Sequence, residues 1–393
     1  MGGNSMNGEN RLSKKAFDLK QGMIRAMFDR ARTMENVISM GIGEPDLDTP
    51  APIIEAANEA LHNGYTHYTP NAGLPLLREA VSKYGLPVPG MYAPNEIMIT
   101  NGAMNALHLL MSILLEPGDE VMIQNPQWLN YAAQIEYCGG VAVKLPTDPE
   151  KGFSLSAETV REHFVPGKTK ALLINTPNNP TGYVMTRKEL EEIAKVAVEL
   201  DLLVISDEVY NTLLFEDAEA ISISTMPGMR DRTVVVNSLS KAYAMCGWRV
   251  GYAAGPEALI DRMAKCQENF ISGVNAAAQY AAAYALEHKE LTVDLRETFR
   301  ARREVAIAEL KKIPGIKFTE PKGAFYLFPN ITAFGLDSKT FCERLLEEAK
   351  VVCIPGSAFG SVGEGYIRIA YTAKTEDILE AMRRIKEFCA KLQ

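Results

Sequence analysis

The spacing of apolar and polar positions changes several times along the chain, and each change marks a predicted element. Short apolar runs rich in β-branched residues predict seven strands: Glu96–Thr100, Glu120–Gln124, Val141–Leu145, Lys170–Thr176, Leu202–Glu208, Thr233–Ser238 and Arg249–Gly255. Longer stretches with apolar residues three and four positions apart, such as Met104–Leu115 and Arg187–Leu200, predict helices between most of them. Strands that alternate with helices favour a mostly parallel sheet covered on both faces.

The pattern changes after Gly255. Three long helices are predicted first, and they are followed by two short strands, a helix, a strand and a final helix: Pro256–Phe270, Asn275–His288, Glu290–Ile313, Ile316–Thr319, Ala324–Phe328, Lys339–Lys350, Tyr366–Tyr371 and a helix from Thr375. Residues 11–32 are also helical in pattern. We therefore expect an α/β protein with a large domain over residues 49–288. A smaller α+β domain over 289–393 would pack with an N-terminal segment, residues 1–48.

Composition and charge exclude several classes of function. The chain of 393 residues carries a net charge of −8 and has no long run of Lys and Arg, so nothing predicts nucleic-acid binding. Its longest strongly apolar stretch, Ala106–Leu115, is too short to span a membrane. The six cysteines are scattered without metal-type spacing, which favours reduced thiols in the cytoplasm. The residues Met1–Asn10 are rich in Gly and Asn and predict a tail without a signal pattern.

The loops that follow the predicted strands carry the candidate chemistry. Ligands of open α/β sheets bind beyond the carboxyl ends of the strands. Lys241 follows the strand Thr233–Ser238 among small, apolar and hydroxyl side chains, a setting that can lower a lysine's pKa and make its amine a nucleophile. Asp207 ends an earlier apolar strand. Neither a HExxH metal motif nor a GxSxG hydrolase motif occurs in the sequence.

Donors for a phosphate group occur near the same strand ends. Ser238, Ser240 and Arg249 flank Lys241, and the backbone amides of Ala103 and Met104 open a helix after Gly102. A Schiff-base lysine, a carboxylate for a pyridinium nitrogen and donors for a phosphate are the set that pyridoxal phosphate requires. These residues could supply all three requirements.

The same motifs appear, in order, in a known family. The chain resembles the class I/II (fold type I) aminotransferases of the aspartate/aromatic branch over nearly its whole length. The resemblance is carried by these segments: Gly43-Glu44-Pro45-Asp46, Tyr68-Thr69 with Gly73 and Leu77-Arg78, Thr100-Asn101-Gly102-Ala103, Asn179-Pro180-Thr181-Gly182, Asp207-Glu208-Val209-Tyr210, Ser238-Leu239-Ser240-Lys241, Gly247-Trp248-Arg249-Val250-Gly251 and Arg368-Ile369. It implies a pyridoxal 5'-phosphate-dependent transaminase with a seven-stranded sheet in its large domain.

The resemblance also implies a role for each matching residue. Lys241 would hold the cofactor as a Schiff base and move the proton, while Asp207 would pair with the pyridinium nitrogen. Asn179 and Tyr210 would bind the phenolic oxygen, Trp128 would stack on the ring, and the donors named above would hold the phosphate. Arg368 would bind the substrate carboxylate beside the backbone of Gly43. Tyr68 would reach the phosphate of the neighbouring subunit, which implies a homodimer with shared active sites.

Substrate preference is less defined by the sequence. In one branch of the dicarboxylate-specific relatives a lysine stands where this chain has Met104, and this departure weakens but does not exclude aspartate. Aspartate, alanine and aromatic amino acids all stay open as donors, with 2-oxoglutarate as the usual acceptor. We expect aspartate to rank slightly ahead because the sequence resembles that branch. A carbon–sulfur β-lyase on the same fold is the main alternative, because it would need Lys241, Asp207 and Arg368 as well. A cofactor-binding regulator would need a DNA-binding module, for which the short N-terminal tail leaves no room.

Overall fold

The computed structural model describes residues 13, 16–17 and 23–393, so the predicted tail at residues 1–10 lies outside the described part. The helices of this part are α1 Met23–Ala31, α2 Ala51–His62, α3 Pro75–Ala80, α4 Ala103–Leu114, α5 Asn130–Tyr137, α6 Ala157–His163, α7 Arg187–Glu199, α8 Leu239–Ala242, α9 Glu257–Phe270, α10 Ala276–Glu287, α11 Val293–Leu310, α12 Ser338–Ala349 and α13 Thr375–Leu392. Its strands are β1 Ile38–Ser39, β2 Ile97–Thr100, β3 Glu120–Asn125, β4 Val141–Pro146, β5 Thr169–Asn175, β6 Leu203–Asp207, β7 Thr233–Ser238, β8 Gly251–Ala254, β9 Tyr326–Leu327, β10 Val351–Val352, β11 Ile354–Pro355 and β12 Ile367–Ala370.

A seven-stranded sheet forms the centre of the larger part of the molecule, and its strands are the seven that the sequence predicts. Their order is β2-β8-β7-β6-β5-β3-β4. Six of them run in the same direction, whereas β8 is antiparallel to both of its neighbours, β2 and β7. The predicted α/β fold with a mostly parallel sheet is therefore confirmed. No helix in the described ranges is long and apolar enough to cross a membrane.

Both faces of this sheet are buried, which explains why its strands are almost uniformly apolar. In β5, Ala171 and Leu173 face the core that contains α4, whereas Leu172 and Ile174 face the core that contains α7. The helix α7 begins with a capping box, because Thr186 accepts from the backbone of Glu189 while the Glu189 carboxylate accepts from the backbone of Thr186. The capping box and the pattern of buried residues thus both indicate the helix α7.

A second core gathers the N-terminal and C-terminal segments. β11, β12 and β9 form a three-stranded antiparallel sheet, and β1 pairs in parallel with β10. Met27 of α1 is buried in the core that also holds Phe341 and Phe388. An ion pair between Arg30 and Glu347 connects the same helix to α12. The domain boundaries at residues 48 and 288 stay a prediction.

One predicted strand, Ile316–Thr319, is wrong. The segment makes only an isolated bridge between Lys317 and Asn330. Its alternating pattern reflects burial, since Ile316 and Phe318 pack partly against the core while the residues between them are exposed. The predicted Ala324–Phe328 and Tyr366–Tyr371 are real strands but shorter, namely β9 and β12.

Candidate active site

A cavity of about 350 Å³ lies where the central strands end, and the three-stranded sheet contributes to its wall. Twelve of the thirteen residues singled out in the sequence line it. They come from segments far apart in the chain: Gly43, Ala103, Met104, Trp128, Asn179, Asp207, Tyr210, Ser238, Ser240, Lys241, Arg249 and Arg368. Tyr68 is the exception, since its side chain is 96% exposed and lies beside a different surface depression.

Lys241 projects into this cavity from α8, the short helix that follows β7. Its Nζ donates a hydrogen bond to the carbonyl oxygen of Gly43 at 2.7 Å and lies 3.5 Å from Cys246 Sγ. In the described part of the chain, no carboxylate forms a salt bridge with this amine. The amine is thus held in place by a neutral carbonyl oxygen.

Asp207 is buried at the end of β6. Its carboxylate accepts hydrogen bonds from the Tyr131 hydroxyl at 2.6 Å and from the Val209 amide at 3.2 Å. Burial raises the pKa of this carboxyl to about 6, and the two hydrogen bonds oppose the rise. No cationic side chain of the described residues pairs with it. A buried carboxylate without a cation, facing a cavity, fits a ligand that brings a protonated ring nitrogen.

Another part of the cavity lining is suited to an anion. Gly102 has a φ of +80° and turns the chain into α4, so that the amides of Ala103 and Met104 open the helix without an acceptor among the described residues. An added Cβ at Gly102 would come within 2.5 Å of Arg249 Nη2, so the guanidinium lies directly against the backbone turn. Arg249 is itself held by the carbonyl of Cys246 at 2.9 Å.

Two hydroxyls complete the anion-binding end. Ser238 ends β7, Ser240 lies in α8, and both line the cavity while being largely buried. A guanidinium, two hydroxyls and a helix N-terminus are the donors that phosphate groups bind in proteins. The donor set therefore fits the phosphate of the cofactor that the sequence predicts.

Arg368 lies on β12 and lines the same cavity. Its Nη1 donates to Asn179 Oδ1 at 2.9 Å and its Nη2 donates to the Gly41 carbonyl at 2.6 Å. The Nε atom is buried and has no hydrogen-bond partner among the described residues. Burial lowers the pKa of this guanidinium, since the charged form is desolvated without a carboxylate beside it. A ligand carboxylate would satisfy both the charge and the unused donor.

Sequence reasoning missed several residues of the cavity. Tyr131 follows Trp128 by three residues, and their rings meet edge to face with centroids 5.3 Å apart. Phe28, from α1, and Ile42 add apolar wall, and Tyr326 of β9 places its hydroxyl 2.9 Å from that of Tyr210. The position of Tyr131 only three residues after Trp128 was a usable signal, whereas none was available for Phe28 or Tyr326.

Comparison with known proteins agrees with this geometry. Residues 35–385 match the family model described as Aminotransferase class I and II. The chain is 46% identical to an aspartate aminotransferase of Pyrococcus abyssi, with 93% of this chain and 94% of the relative aligned. It is 43% identical to aromatic-amino-acid aminotransferase 2 of Thermococcus litoralis at the same coverage.

Solved structures lead to the same family. The aromatic aminotransferase of Pyrococcus horikoshii superimposes with a TM-score of 0.87 at 43% identity, over 93% of this chain and 100% of that one. The aspartate aminotransferase of Thermus thermophilus with maleate gives a TM-score of 0.89 at 36% identity, over 96% and 99% of the two chains. The chain therefore belongs to the class I and II aminotransferase family and is an aminotransferase.

Proposed function

We propose that the chain transfers the amino group of an L-amino acid to a 2-oxo acid, using pyridoxal 5'-phosphate held at Lys241. One observation carries the proposal: the Lys241 amine shares a single cavity with a buried carboxylate that has no cationic partner among the described residues and with a guanidinium whose Nε has no hydrogen-bond partner there. When bound, the cofactor supplies an aldehyde for amines and a ring that accepts electrons from the substrate's Cα. Asp207 would hold the ring nitrogen, and Trp128 would stack on the ring.

The remaining polar residues would fix the cofactor and the substrate. The phosphate would bind Ser238, Ser240, Arg249 and the opening turn of α4. Asn179 and Tyr210 would hold the phenolic oxygen. Each of these contacts restricts the ring to one orientation, and such restriction is a large part of what a protein contributes to cofactor chemistry.

Proton transfer is assigned to Lys241. With the cofactor bound, the Lys241 Nζ would take the proton from the substrate's Cα and return a proton later in the reaction. Arg368 would hold the substrate carboxylate through two hydrogen bonds, and this orientation would favour cleavage of the Cα–H bond over cleavage of the Cα–carboxylate bond. The carboxylate of the 2-oxo acid would bind the same guanidinium, and Lys241 would then move the proton in the opposite direction.

We propose aspartate and aromatic amino acids as donors and 2-oxoglutarate as an acceptor. Two relatives support this, since one is named for aspartate and the other for aromatic amino acids. Phe28, Ile42, Met104 and Trp128 give the cavity an apolar wall that suits an aromatic side chain. The six free thiols support a cytoplasmic location, and exposed Tyr68 supports a homodimer in which it serves the partner's site.

The visible absorption spectrum tests the central proposal. With cofactor supplied, the protein is expected to show a yellow band that single amino acids bleach stoichiometrically, releasing one equivalent of 2-oxo acid without ammonia. Lys241→Ala should lose this response. Lys265→Ala, which removes an exposed lysine paired with Asp261 on α9, is the matched control and should keep it. Continuous release of ammonia would instead identify a lyase, and an unchanged spectrum in Lys241→Ala would refute the role of that lysine.

A further inference from the structure

Tyr326 contacts both Tyr210 and Arg368 in the active-site cavity. Its side chain is 1% exposed, and it contacts residues on both the cofactor side and the substrate side. We propose that Tyr326 is a positioning residue for amino transfer: its hydroxyl aims the hydroxyl of Tyr210, and its ring braces Arg368. The proposal rests on the function proposed above.

The hydroxyl takes part in a chain of hydrogen bonds that runs from Asn179 to Tyr210. Asn179 Nδ2 can only donate, and it lies 3.5 Å from the Tyr326 hydroxyl oxygen. Either hydroxyl could donate across the 2.9 Å contact between Tyr326 and Tyr210, and the proposal assigns the donation to Tyr326. With Tyr326 as donor, Tyr210 directs its own proton elsewhere, and the cavity is the side on which its acceptor would lie. Tyr326 thus makes Tyr210 a donor toward the cofactor's phenolic oxygen.

The ring supports the carboxylate-binding side. The Arg368 guanidinium lies 4.5 Å from the centroid of the Tyr326 ring and 4.9 Å from that of Phe359. Two aromatic faces therefore hold the guanidinium in one plane while its Nη atoms are hydrogen-bonded to Asn179 and Gly41. The free Nε is left in a fixed position, ready for a ligand carboxylate.

Tyr326 is itself rigidly held, which a positioning role requires. Its backbone pairs with Ala370 across the β9–β12 ladder, so it shares a sheet with Arg368. Its hydroxyl packs closely against Gly43, where a Cβ would collide with it. The carbonyl of Gly43 accepts the hydrogen bond of Lys241, so the same tyrosine also contacts the segment that holds the lysine.

Tyr326→Phe tests the hydroxyl. In the protein loaded with pyridoxal phosphate, the pH midpoint of the visible band should move upward by about 0.7 unit, because a lost hydrogen bond is worth about 1 kcal/mol. The turnover number kcat should fall about fivefold, and KM for the amino acid should stay within about twofold, since the ring is retained. An unchanged pH midpoint would overturn this half of the proposal.

Tyr326→Leu and Tyr326→Met test the ring, and having two variants guards against one that does not fold. Loss of the aromatic face should raise KM for the amino acid to about ten times its value in the Phe variant. The dissociation constant of an unreactive dicarboxylate such as maleate should rise by the same factor. Equal affinity for maleate in the Phe variant and in a folded Leu or Met variant would overturn the assignment to Arg368.

Tyr371→Phe is the matched control. It removes another buried hydroxyl at the end of β12, where Tyr371 donates to the carbonyl of Ala324 away from the cavity. Its absorption titration, kcat and KM should equal those of the wild type, whereas its stability falls slightly. Absence of a yellow band or of transamination in the wild type would refute the proposed function instead, so the two failures are distinguishable.

Discussion

The proposed role of Asp207 in cofactor binding would come at the expense of stability. In the protein without cofactor, burial raises the pKa of its carboxyl from 3.8 to about 6. The folded state therefore binds this proton more tightly than the unfolded state. The carboxyl favours folding most below about pH 4, and that contribution is lost as the pH rises through about 6.

Asp207→Asn separates the effect of this carboxyl on stability from its effect on activity. The amide keeps an acceptor for Tyr131 but carries no charge, so the cofactor-free variant should gain more thermal stability over the wild type at pH 8 than at pH 5. The difference should correspond to about 1 kcal/mol. With pyridoxal phosphate, kcat/KM should fall about 100-fold, since a buried charge-assisted hydrogen bond is lost. Thermal unfolding at both pH values and donor kinetics check this; a stability gain independent of pH would contradict it.

At the residue scale, the sequence predicts those site residues that follow strands. Parallel strands bring their carboxyl ends to one edge, so the order of elements along the chain is enough to group Asp207, Asn179 and Lys241. Tyr326 and Phe28 could not be grouped with them, because they reach the cavity from β9 and α1. Their position depends on how the second core packs against the first, and no local pattern encodes that packing.

At the element scale, the turn from β2 into α4 offers a direct test of the anion-binding end. Gly102→Ala should weaken pyridoxal phosphate binding by at least about tenfold, because the new Cβ meets Arg249 and the left-handed φ resists a side chain. Cofactor titration by fluorescence or absorbance measures the change.

Gly90→Ala is the control for backbone strain. Gly90 has a φ of +74° with no atom within 4 Å of an added Cβ. Both variants should lose about 1 kcal/mol of unfolding free energy, but only Gly102→Ala should lose affinity for the cofactor. Equal cofactor affinity in both variants would show that the turn does not shape the site.

The elements themselves were predictable to different degrees. The seven central strands were found to within about two residues at each end, because continuous burial on both faces gives a strong apolar signal. The antiparallel direction of β8 was not predicted, since direction depends on the path of the connecting chain rather than on side chains. The alternation of apolar and polar residues over Ile316–Thr319 predicts a strand. In the structure it reflects alternating half-buried and exposed positions in a segment that does not pair into a sheet.

At the scale of the whole molecule, Tyr68 predicts a functional dimer. Its side chain is 96% exposed and lies beside Leu61 and Tyr65, two further exposed apolar residues. If Tyr68 serves the partner's site, a mixed dimer of Lys241→Ala and Tyr68→Ala subunits contains one site with both defects and one intact site. Co-expression with two different tags would isolate this species.

The rate per subunit that retains Lys241 should be higher in the mixed dimer than in the Tyr68→Ala homodimer. It should approach the rate per subunit of the wild type. Steady-state rates at limiting cofactor measure this, since Tyr68 is expected to contribute to phosphate binding. Activity no higher than that of the Tyr68→Ala homodimer would place Tyr68 outside the partner's site.

The proposed assignment of the substrate carboxylate and the substrate side chain to different residues has a consequence for how such an enzyme diversifies. If Arg368 binds the carboxylate of every donor and acceptor, the reacting carbon always arrives at one place. The substrate side chain would then meet the apolar wall formed by Phe28, Ile42 and Met104, whose side chains are assigned neither to the lysine nor to the ring nitrogen. Descendants of this protein could therefore exchange that wall and acquire new substrates while leaving the reaction itself untouched.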